Sequence, residues 1–567
     1  MIQIHNFRPR IIALSIAGPL LFLTLLVTIL DVAGTGGQFS SPLMLDKGQM
    51  EITTVPGVAV AVSEIITEQA SCRIGVTSLG PKQINWVDDL GAGWFVFFAG
   101  FSDSATNGAE IAPVIDVRQK KDTQGNYLDD FEINPPLTTA GLGSLVDSYP
   151  GVLWLVGNEV DRGPNPGGNS VGQGDTFPQV YARAYYSVYH YIKDRDPTAQ
   201  VAISGLVEVT PGRLQYLDIV WQSYLTLYGV SMPVDVWNMH LYILPELLPD
   251  GRPNGIANVA LGTDPALGIL ESNNDPSQCS RPDVYCFAEH DDLTVFDQQV
   301  RAMRSWMRSH HQQNKPLILS EYSILYPYIP EGDSCYLQDE FGECFTPERI
   351  INFLDETMSY FKIAKDQKIG YPIDDFRLVQ QTAWFSINNL NGVGNVSDLV
   401  VDDVTDGTLT GLSTIGQAFK RNAQAESLYV NLRLGEIATP VGRVIEPAET
   451  TSVTLWADVG NNGSIAITDS FSVTFYANIS RTDVISTVIV EVSDLPDHQL
   501  PGCARRQHQV SVVWSGLVSG AHPYWVEIDS GNQIEEGVIE ADGEEDNIVQ
   551  GIVLIDQAMS LFPVIIN

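Results

Sequence analysis

Short apolar runs alternate with longer amphipathic stretches through most of this chain, and no other feature limits its fold as strongly. Eight such runs are rich in β-branched and aromatic residues, and most of them are almost continuously apolar. They lie at residues 72–79, 94–100, 112–118, 152–159, 201–208, 234–243, 316–323 and 382–388. Strands buried on both faces of a parallel sheet have this composition. The eight runs therefore predict a parallel β-sheet covered by helices.

Apolar residues recur at helical spacing between these runs. Examples are Val180, Ala184, Val188 and Ile192 in one stretch and Phe296, Val300, Met303 and Met307 in another. Eight alternations of this kind predict an α/β fold, a (β/α)8 TIM barrel over residues 70–435. A doubly wound open sheet is the competing arrangement, but it normally has a Gly-rich phosphate-binding turn after its first strand. The segment TSLGPKQ at 77–83 is no such turn.

The pattern changes beyond residue 440 to short alternating runs separated by turns. Examples are TSVTLWADV, FSVTFYANI, VISTVIVEV and QVSVVWSG. Side chains that alternate between apolar and polar belong to strands with one face buried. The sequence therefore predicts an all-β, Ig-like sandwich domain at 440–567.

The first thirty residues contain a hydrophobic segment behind a basic flank. Arg8 and Arg10 precede the uncharged stretch from Ile11 to Leu30. About twenty apolar residues span a bilayer as a helix, whereas the apolar region of a signal peptide usually has about 7–15. Residues 1–30 are thus interpreted as a membrane-anchor helix or a cleaved signal peptide, followed by a spacer at 31–69. Both alternatives predict that the rest of the chain is extracellular.

Charge and composition exclude several classes of function. The formal net charge is −38, yet 44% of residues are hydrophobic and only 18% are charged, so the chain is not a disordered polyanion. A nucleic-acid partner is not expected, because phosphate binding needs concentrated Lys and Arg. HExxH, GxSxG and Walker motifs are all absent from the sequence. We expect no cofactor and no metal.

Six cysteines fit an oxidising compartment. Two close pairs, Cys279 with Cys286 and Cys335 with Cys344, lie in Pro-, Gly- and Asp-rich segments and are predicted to be disulfides. Cys72 and Cys503 lie in different predicted domains, and the sequence leaves their pairing open.

Two glutamates end barrel strands that lie far apart in sequence. Glu159 ends the fourth strand and Glu321 ends the seventh. The carboxyl ends of barrel strands form one mouth, where active sites lie. Cleavage of a glycosidic bond needs such a pair, one carboxylic acid to protonate the leaving oxygen and one carboxylate to attack the anomeric carbon. The pair therefore predicts a catalytic site.

Other polar and aromatic residues end neighbouring strands. Asn158 precedes the first glutamate, and Asn238, His240 and Tyr242 share one face of the sixth strand by their spacing of two. His240 or Tyr242 could orient a glutamate by a hydrogen bond. Trp384 in the eighth strand could supply an apolar platform for a sugar ring. We expect these side chains to line the substrate site.

This order of residues resembles clan A of the retaining glycoside hydrolases, a family of (β/α)8 barrels with one glutamate on strand four and one on strand seven. WLVGNEVD looks like the acid/base segment of the clan and PLILSEYS like its nucleophile segment. The resemblance covers about 72–430. It implies that Glu159 is the acid/base, Glu321 the nucleophile, Asn158 a hydroxyl contact and Trp384 the platform.

The sequence departs from the clan at two strands. Many members carry an Arg near strand two and a His near strand three, whereas WFVFFAGFS has no Arg and strand three ends in Asp116-Val117-Arg118. Arg118 is the candidate to replace one of these groups in substrate binding.

The C-terminal segments ADVGNNGS, FSVTFYAN and YWVEIDSGNQIEE look like the CARDB domain, an adhesion-related sandwich of bacterial surface proteins. This resemblance implies a cell-surface or matrix contact for the C-terminal domain.

The sequence as a whole predicts an extracellular retaining glycosidase acting on a poly- or oligosaccharide. The alternative is a catalytically inactive cell-surface protein that binds glycan on the same scaffold.

Overall fold

The structure is a computed structural model that describes residues 70–98, 108–164, 173–325, 338–389, 397–403, 407–438, 450–537 and 547–555. The chain divides into Met1–Glu64 and Ile65–Asn567, and both the barrel and the sandwich belong to the second unit. The predicted hydrophobic helix at 1–30 and the spacer at 31–69 lie outside the described residues. Within the described ranges, no helix is both long enough and apolar enough to cross a membrane.

The described residues between 70 and 430 form strands and helices in close alternation. The strands are β1 (Ile74–Ser78), β2 (Trp94–Phe97), β3 (Glu110–Lys121), β4 (Tyr127–Asn134), β5 (Leu153–Asn158), β6 (Gln200–Gly205), β7 (Trp237–Leu241), β8 (Leu270–Glu271), β9 (Val284–Tyr285), β10 (Leu317–Tyr322), β11 (Gln381–Trp384), β12 (Val400–Asp402) and β13 (Leu409–Leu412). The α-helices are α1 (Asn85–Leu90), α2 (Ser144–Ser148), α3 (Pro178–Arg195), α4 (Pro211–Tyr228), α5 (Leu293–Ser309), α6 (Pro347–Ile363) and α7 (Thr414–Gln424).

Eight parallel strands form the predicted barrel. The hydrogen-bonded order is β6-β5-β3-β2-β1-β11-β10-β7, and a parallel bridge between Ala202 and Val236 joins β6 to β7. The additional strand β4 pairs antiparallel with β3 and forms a hairpin. This topology confirms the prediction of a barrel rather than an open sheet.

Backbone and side-chain hydrogen bonds together hold the seam between β6 and β7, and the Asp235 and His240 amides donate to the Val201 (3.2 Å) and Leu206 (2.9 Å) carbonyls. Asp235 accepts a hydrogen bond from the Val201 amide through Oδ2 (3.0 Å), and Asn238 Nδ2 donates to the Ile203 carbonyl (3.2 Å). These bonds supplement a ladder that is reduced to one isolated bridge at this point.

The barrel interior is a compact apolar core separate from the layer under the helices. Its buried members are Trp94, Val96, Ala112, Leu153, Leu155, Ala202, Val236, Ile318 and Ala383. Trp94 fills the space beside β1 because Gly75 has no side chain, and a Cβ there would lie 2.4 Å from Trp94 Nε1. The barrel is therefore a packed support for its mouth rather than a pore.

The C-terminal domain is a sandwich of two antiparallel sheets. Its strands are β14 (Leu432–Ala438), β15 (Thr451–Asn461), β16 (Phe471–Tyr476), β17 (Val484–Val490), β18 (Gln507–Leu517), β19 (Gly520–Ile528) and β20 (Ile548–Ile555). One sheet has the order β14-β15-β18 and the other β17-β16-β19-β20. Because β14 pairs with β15, the sandwich begins at Leu432, slightly before the predicted boundary at 440.

The sandwich packs against the end of the barrel where the strands begin. Arg73, just before β1, makes two hydrogen bonds to Asp374 (2.7 and 2.9 Å) and one to the Asn462 carbonyl of the sandwich (2.7 Å). Arg505 of the sandwich pairs with Glu110 at the start of β3. A disulfide joins Cys72 to Cys503 and settles the pairing that the sequence left open.

The structure also confirms the disulfide between Cys279 and Cys286. Cys344 is disulfide-bonded, and its predicted partner, Cys335, lies outside the described residues.

The disulfide between the two domains is expected to stabilise the protein more than the local one. Cys72 and Cys503 are separated by 431 residues, against 7 for Cys279 and Cys286. A cross-link restricts the unfolded chain more when it closes a longer loop, and removing a native disulfide costs about 2–5 kcal/mol. The double variant Cys72→Ser/Cys503→Ser should therefore lower Tm more than Cys279→Ser/Cys286→Ser, as measured by calorimetry. Equal losses would contradict this expectation.

Candidate active site

The two predicted glutamates meet at the carboxyl-terminal mouth of the barrel. Glu159 directly follows β5, and Glu321 is the penultimate residue of β10. One carboxylate oxygen of each and a ring nitrogen of His240 all lie within 4.8 Å of one another. Glu159 is 4% exposed, Glu321 7% and His240 2%. The structure thus brings together two carboxyls and an imidazole in an almost fully buried group.

His240 lies between the two carboxyls, and Tyr242 holds one of them. The Nδ1 atom of His240 is 3.3 Å from Glu159 Oε1 and 3.8 Å from Glu321 Oε2. The Tyr242 hydroxyl donates a hydrogen bond to Glu321 Oε1 (2.8 Å). These contacts agree with the prediction that His240 and Tyr242 orient the glutamates.

A tight backbone turn presents the Glu159 side chain. Glu159 adopts a left-handed conformation with φ 43°, which is unfavourable for a residue with a side chain. Its amide donates to the Gly205 carbonyl (3.0 Å), and the flanking Asn158 and Val160 carbonyls accept from Gly174 (2.9 Å) and Thr176 (2.8 Å). The bonds on both sides of Glu159 compensate for the unfavourable conformation and fix the turn.

Gly205, at the end of β6, makes room for the His240 ring. A Cβ atom at this position would lie 2.2 Å from His240 Cδ2 and 2.3 Å from Nε2. Only glycine therefore allows the imidazole to stand between the glutamates.

Burial and nearby charges separate the two carboxyls in acidity. Burial raises the pKa of Glu321 to about 7; the charge of Glu159 adds to this rise, and His240 and Tyr242 oppose it. Burial also raises the pKa of Glu159, but the hydrogen bond and charge of His240, with the charges of Arg162 and Arg213, outweigh it and bring the pKa below its usual value. The pair therefore loses its last proton around neutral pH, and that proton lies on Glu321 rather than on Glu159.

The His240 imidazole is affected by the same charges. Burial lowers its pKa, but the charge of Glu321 and the contact with Glu159 raise it further, so the net direction is upward. A protonated ring donates to a carboxylate, which explains how the site holds an ionised Glu159 away from water.

Asn238 does not belong to the mouth. It is 1% exposed and lies two residues before His240, one layer deeper in the barrel. Its amide nitrogen is used in the seam to β6. Its depth does not support the predicted substrate contact, because equal spacing along a strand gives the same face but a different depth.

Trp384 is also misassigned by the sequence. Its side chain is fully buried, packs against Tyr322 and Phe353, and donates from Nε1 to the Ser397 carbonyl (2.8 Å). It therefore faces the helical layer and cannot serve as a sugar platform. Ala383 points into the barrel, so alternation along β11 places the half-buried Phe385 on the interior side.

Substrate contacts of Asn158 and Arg118 stay predictions, because the structure shows only the contacts of these residues within the protein. Asn158 is half-buried, and its Nδ2 donates to Gln173 Oε1 (3.3 Å). Arg118 lies on the part of β3 that pairs with β4, and its Nε donates to Asp116 Oδ2 (2.8 Å).

Sequence reasoning missed Gly205 and Phe385. The signal for Phe385 is weak, because every residue of β11 is buried and its two faces look alike. Gly205 ends the run VAISG, where a glycine would ordinarily indicate only a turn.

The substitution Gly205→Ala should displace the His240 ring, because the added methyl group would overlap it. The Nδ1–Oε1 contact between His240 and Glu159, now 3.3 Å, is expected to lengthen beyond hydrogen-bond distance in a crystal structure of the variant. Gly411→Ala is the matched control, since nothing lies within 4 Å of a Cβ there. An unchanged His240 position in Gly205→Ala would refute the steric argument.

The chain matches no protein-family model, and no curated protein sequence matches it. Structurally similar proteins include two glycoside hydrolases and a CARDB domain. A curdlan-specific GH128 exo-β-1,3-glucanase from Blastomyces gilchristii is 13% identical, with a TM-score of 0.34, over 62% of this chain and 99% of its own. A family 51 α-L-arabinofuranosidase from Bifidobacterium longum is 11% identical, with a TM-score of 0.35, over 81% and 96%. The CARDB domain, from Pyrococcus furiosus, is 16% identical, with a TM-score of 0.17, over 23% and 97%.

Proposed function

We propose that this protein is a retaining glycoside hydrolase with Glu159 and Glu321 as its catalytic carboxyls. The observation that carries the proposal is that oxygens of the two glutamates lie within 4.8 Å of each other at the barrel mouth. Retaining enzymes hold their carboxyls about 5–5.5 Å apart, whereas inverting enzymes need about 6.5–9.5 Å to admit a water molecule between carboxylate and sugar. The observed separation favours direct attack by a carboxylate.

The chemistry assigns one step to each glutamate. Glu321 attacks the anomeric carbon and forms a glycosyl ester while Glu159 gives its proton to the departing oxygen. Glu159, now ionised, then removes a proton from water, and the water oxygen attacks the anomeric carbon and releases Glu321. This assignment follows the resemblance to clan A.

The electrostatics of the unliganded site favour the opposite location of the proton, because burial raises the pKa of Glu321 to about 7 and His240 holds Glu159 ionised. The proposed roles therefore require the proton to move to Glu159 when substrate binds. His240 Nδ1 is 3.3 Å from Glu159 Oε1 but 3.8 Å from Glu321 Oε2, so a transfer through the ring requires Glu321 or His240 to move closer.

The substrate is proposed to be a poly- or oligosaccharide. Asn158 would contact a sugar hydroxyl, Phe385 would offer the apolar surface that Trp384 cannot, and Arg118 would bind at the rim beside β3. Secretion or anchoring by residues 1–30, and a cell-surface or matrix contact through the sandwich, complete the proposal; they rest on the sequence pattern and on the CARDB resemblance.

A mechanism-based glycosyl inactivator tests both the activity and the roles. It should label Glu321 in the wild-type protein, as identified by peptide mass spectrometry. Glu321→Gln should take up no label, and Glu159→Gln should lose at least 100-fold in kcat because it lacks the acid. A label on Glu159 would show that Glu159 is the nucleophile and Glu321 the acid/base. No labelling, together with no hydrolysis of a broad glycan panel, would favour the inactive glycan-binding alternative.

The raised pKa of Glu321 makes stability depend on pH. A carboxyl whose pKa is higher in the folded than in the unfolded state stabilises the fold at low pH. That contribution is lost as the pH rises from the ordinary pKa of Glu321, about 4.5, to its pKa in the folded protein, about 7. Glu321→Gln should therefore be more stable than the wild type at pH 8, with an unfolding free energy higher by on the order of 3 kcal/mol and a higher Tm. At pH 5 both differences should be smaller.

Glu356→Gln is the control for this measurement, because Glu356 is an exposed glutamate on α6. It should show little change in Tm at either pH. A difference between Glu321→Gln and the wild type that does not grow with pH would contradict the assignment of the buried proton to Glu321.

A further inference from the structure

A single buried arginine connects three of the loops around the barrel mouth. Arg213 lies in the first turn of α4, and its side chain is 0% exposed. Burying a guanidinium is costly unless charged and polar partners surround it. Its partners therefore show what this residue is placed to hold.

Each partner follows a different barrel strand. After β5, Asp161 pairs through Oδ2 with Arg213 Nε (2.8 Å). After β6, Glu208 lies 3.7 Å from Nη1. After β7, Glu246 pairs with the same nitrogen, and the carbonyls of Ala257 and Asn258 each accept from Nη2 (3.1 Å). One side chain thus ties together the loops that follow β5, β6 and β7.

The three acidic residues also accept hydrogen bonds from backbone amides in these loops. Glu208 Oε2 accepts from the Leu244 amide (3.2 Å), and Glu246 Oε2 accepts from the Ile269 amide (2.8 Å). The Asp161 carbonyl accepts from the Leu261 amide (2.8 Å). The loops after β5 and β7 are therefore held both to Arg213 and to each other.

The charges in this cluster do not balance one to one. Three carboxyls face one guanidinium, and burial raises the pKa of Glu208 to about 8, so this acid is mostly protonated at neutral pH. The charge of Arg213 also contributes to the lowered pKa of Glu159. The cluster is therefore linked to the catalytic pair through charge as well as through the backbone.

We propose that Arg213 is the positioning residue for Glu159, holding Asp161 and the adjoining loops so that the left-handed turn keeps the Glu159 carboxyl against His240. Asp161 is only two residues beyond Glu159, so a shift of Asp161 moves the turn directly. The inference rests on the proposed glycosidase function for its effect on catalysis, but its effect on the Glu159–His240 contact is independent of that function.

Arg213→Lys tests the proposal, because it keeps the charge but cannot reproduce the planar set of donors. We expect kcat to fall at least 10-fold with KM changed less than threefold. The titration midpoint of Glu159, followed by NMR of ¹³C-glutamate-labelled protein and assigned with Glu159→Gln, should rise by at least half a pH unit. The rise follows from a weaker hydrogen bond from His240, which now lowers that pKa.

Arg304→Lys is the matched control. Arg304 is also 0% exposed, but it binds the carbonyls of Leu378 (2.6 Å) and Lys315 (3.0 Å) at the other end of the barrel. It should lower Tm to a similar degree while leaving kcat and the Glu159 titration unchanged. If Arg213→Lys does not fold, Glu246→Gln removes one charge from the cluster with little change of shape, and a smaller effect in the same direction is expected.

The two proposals fail in different ways. A shifted Glu159 titration in a protein that hydrolyses no glycan would remove the glycosidase function and leave Arg213 as the positioning residue. A Glu159 titration that does not move, with kcat within twofold of the wild type, would show that Arg213 only stabilises the fold.

Discussion

Closure of the barrel between β6 and β7 is the constraint on which the site depends. The seam has one isolated parallel bridge, and the backbone amides of Asp235 and His240 and the side chains of Asp235 and Asn238 supply further hydrogen bonds across it. Glu159 and His240 lie on either side of this seam, where Gly205 has no side chain. The imidazole occupies that gap. An open sheet would place β5 and β10 too far apart for their glutamates to share a proton.

Burial sets the acidity of the groups at the mouth and also lowers the stability of the folded protein. Two carboxyls and an imidazole are nearly inaccessible to water, so each charge must be balanced by a neighbour. His240 balances Glu159, and Tyr242 donates to Glu321. Because two close carboxyls cannot both ionise easily, the pair loses its last proton only around neutral pH. The same interactions that prepare the site for acid–base chemistry make it unfavourable for folding at higher pH.

Strand order and strand ends could be predicted from the sequence, and they locate Glu159, Glu321, His240 and Tyr242 together. The depth of a side chain in the barrel, and the face of the strand on which it lies, could not be predicted within continuously apolar strands. The depth of Asn238 and the face on which Trp384 lies were therefore missed, since residues buried toward the interior and toward the helices have the same composition. Arg213 carries no motif and lies on a helix that looks ordinary. Its importance follows only from three loops that meet around it.

The sandwich is attached where the barrel strands begin, so the barrel mouth, where the strands end, points away from the sandwich. The Cys72–Cys503 disulfide and the hydrogen bond from Arg73 to the Asn462 carbonyl attach the sandwich to the starting ends of the barrel strands. The far side of the sandwich therefore faces away from the mouth, and under the proposed surface contact the mouth would be directed away from that surface. A ligand lying flat on such a surface would therefore have no direct access to the barrel mouth.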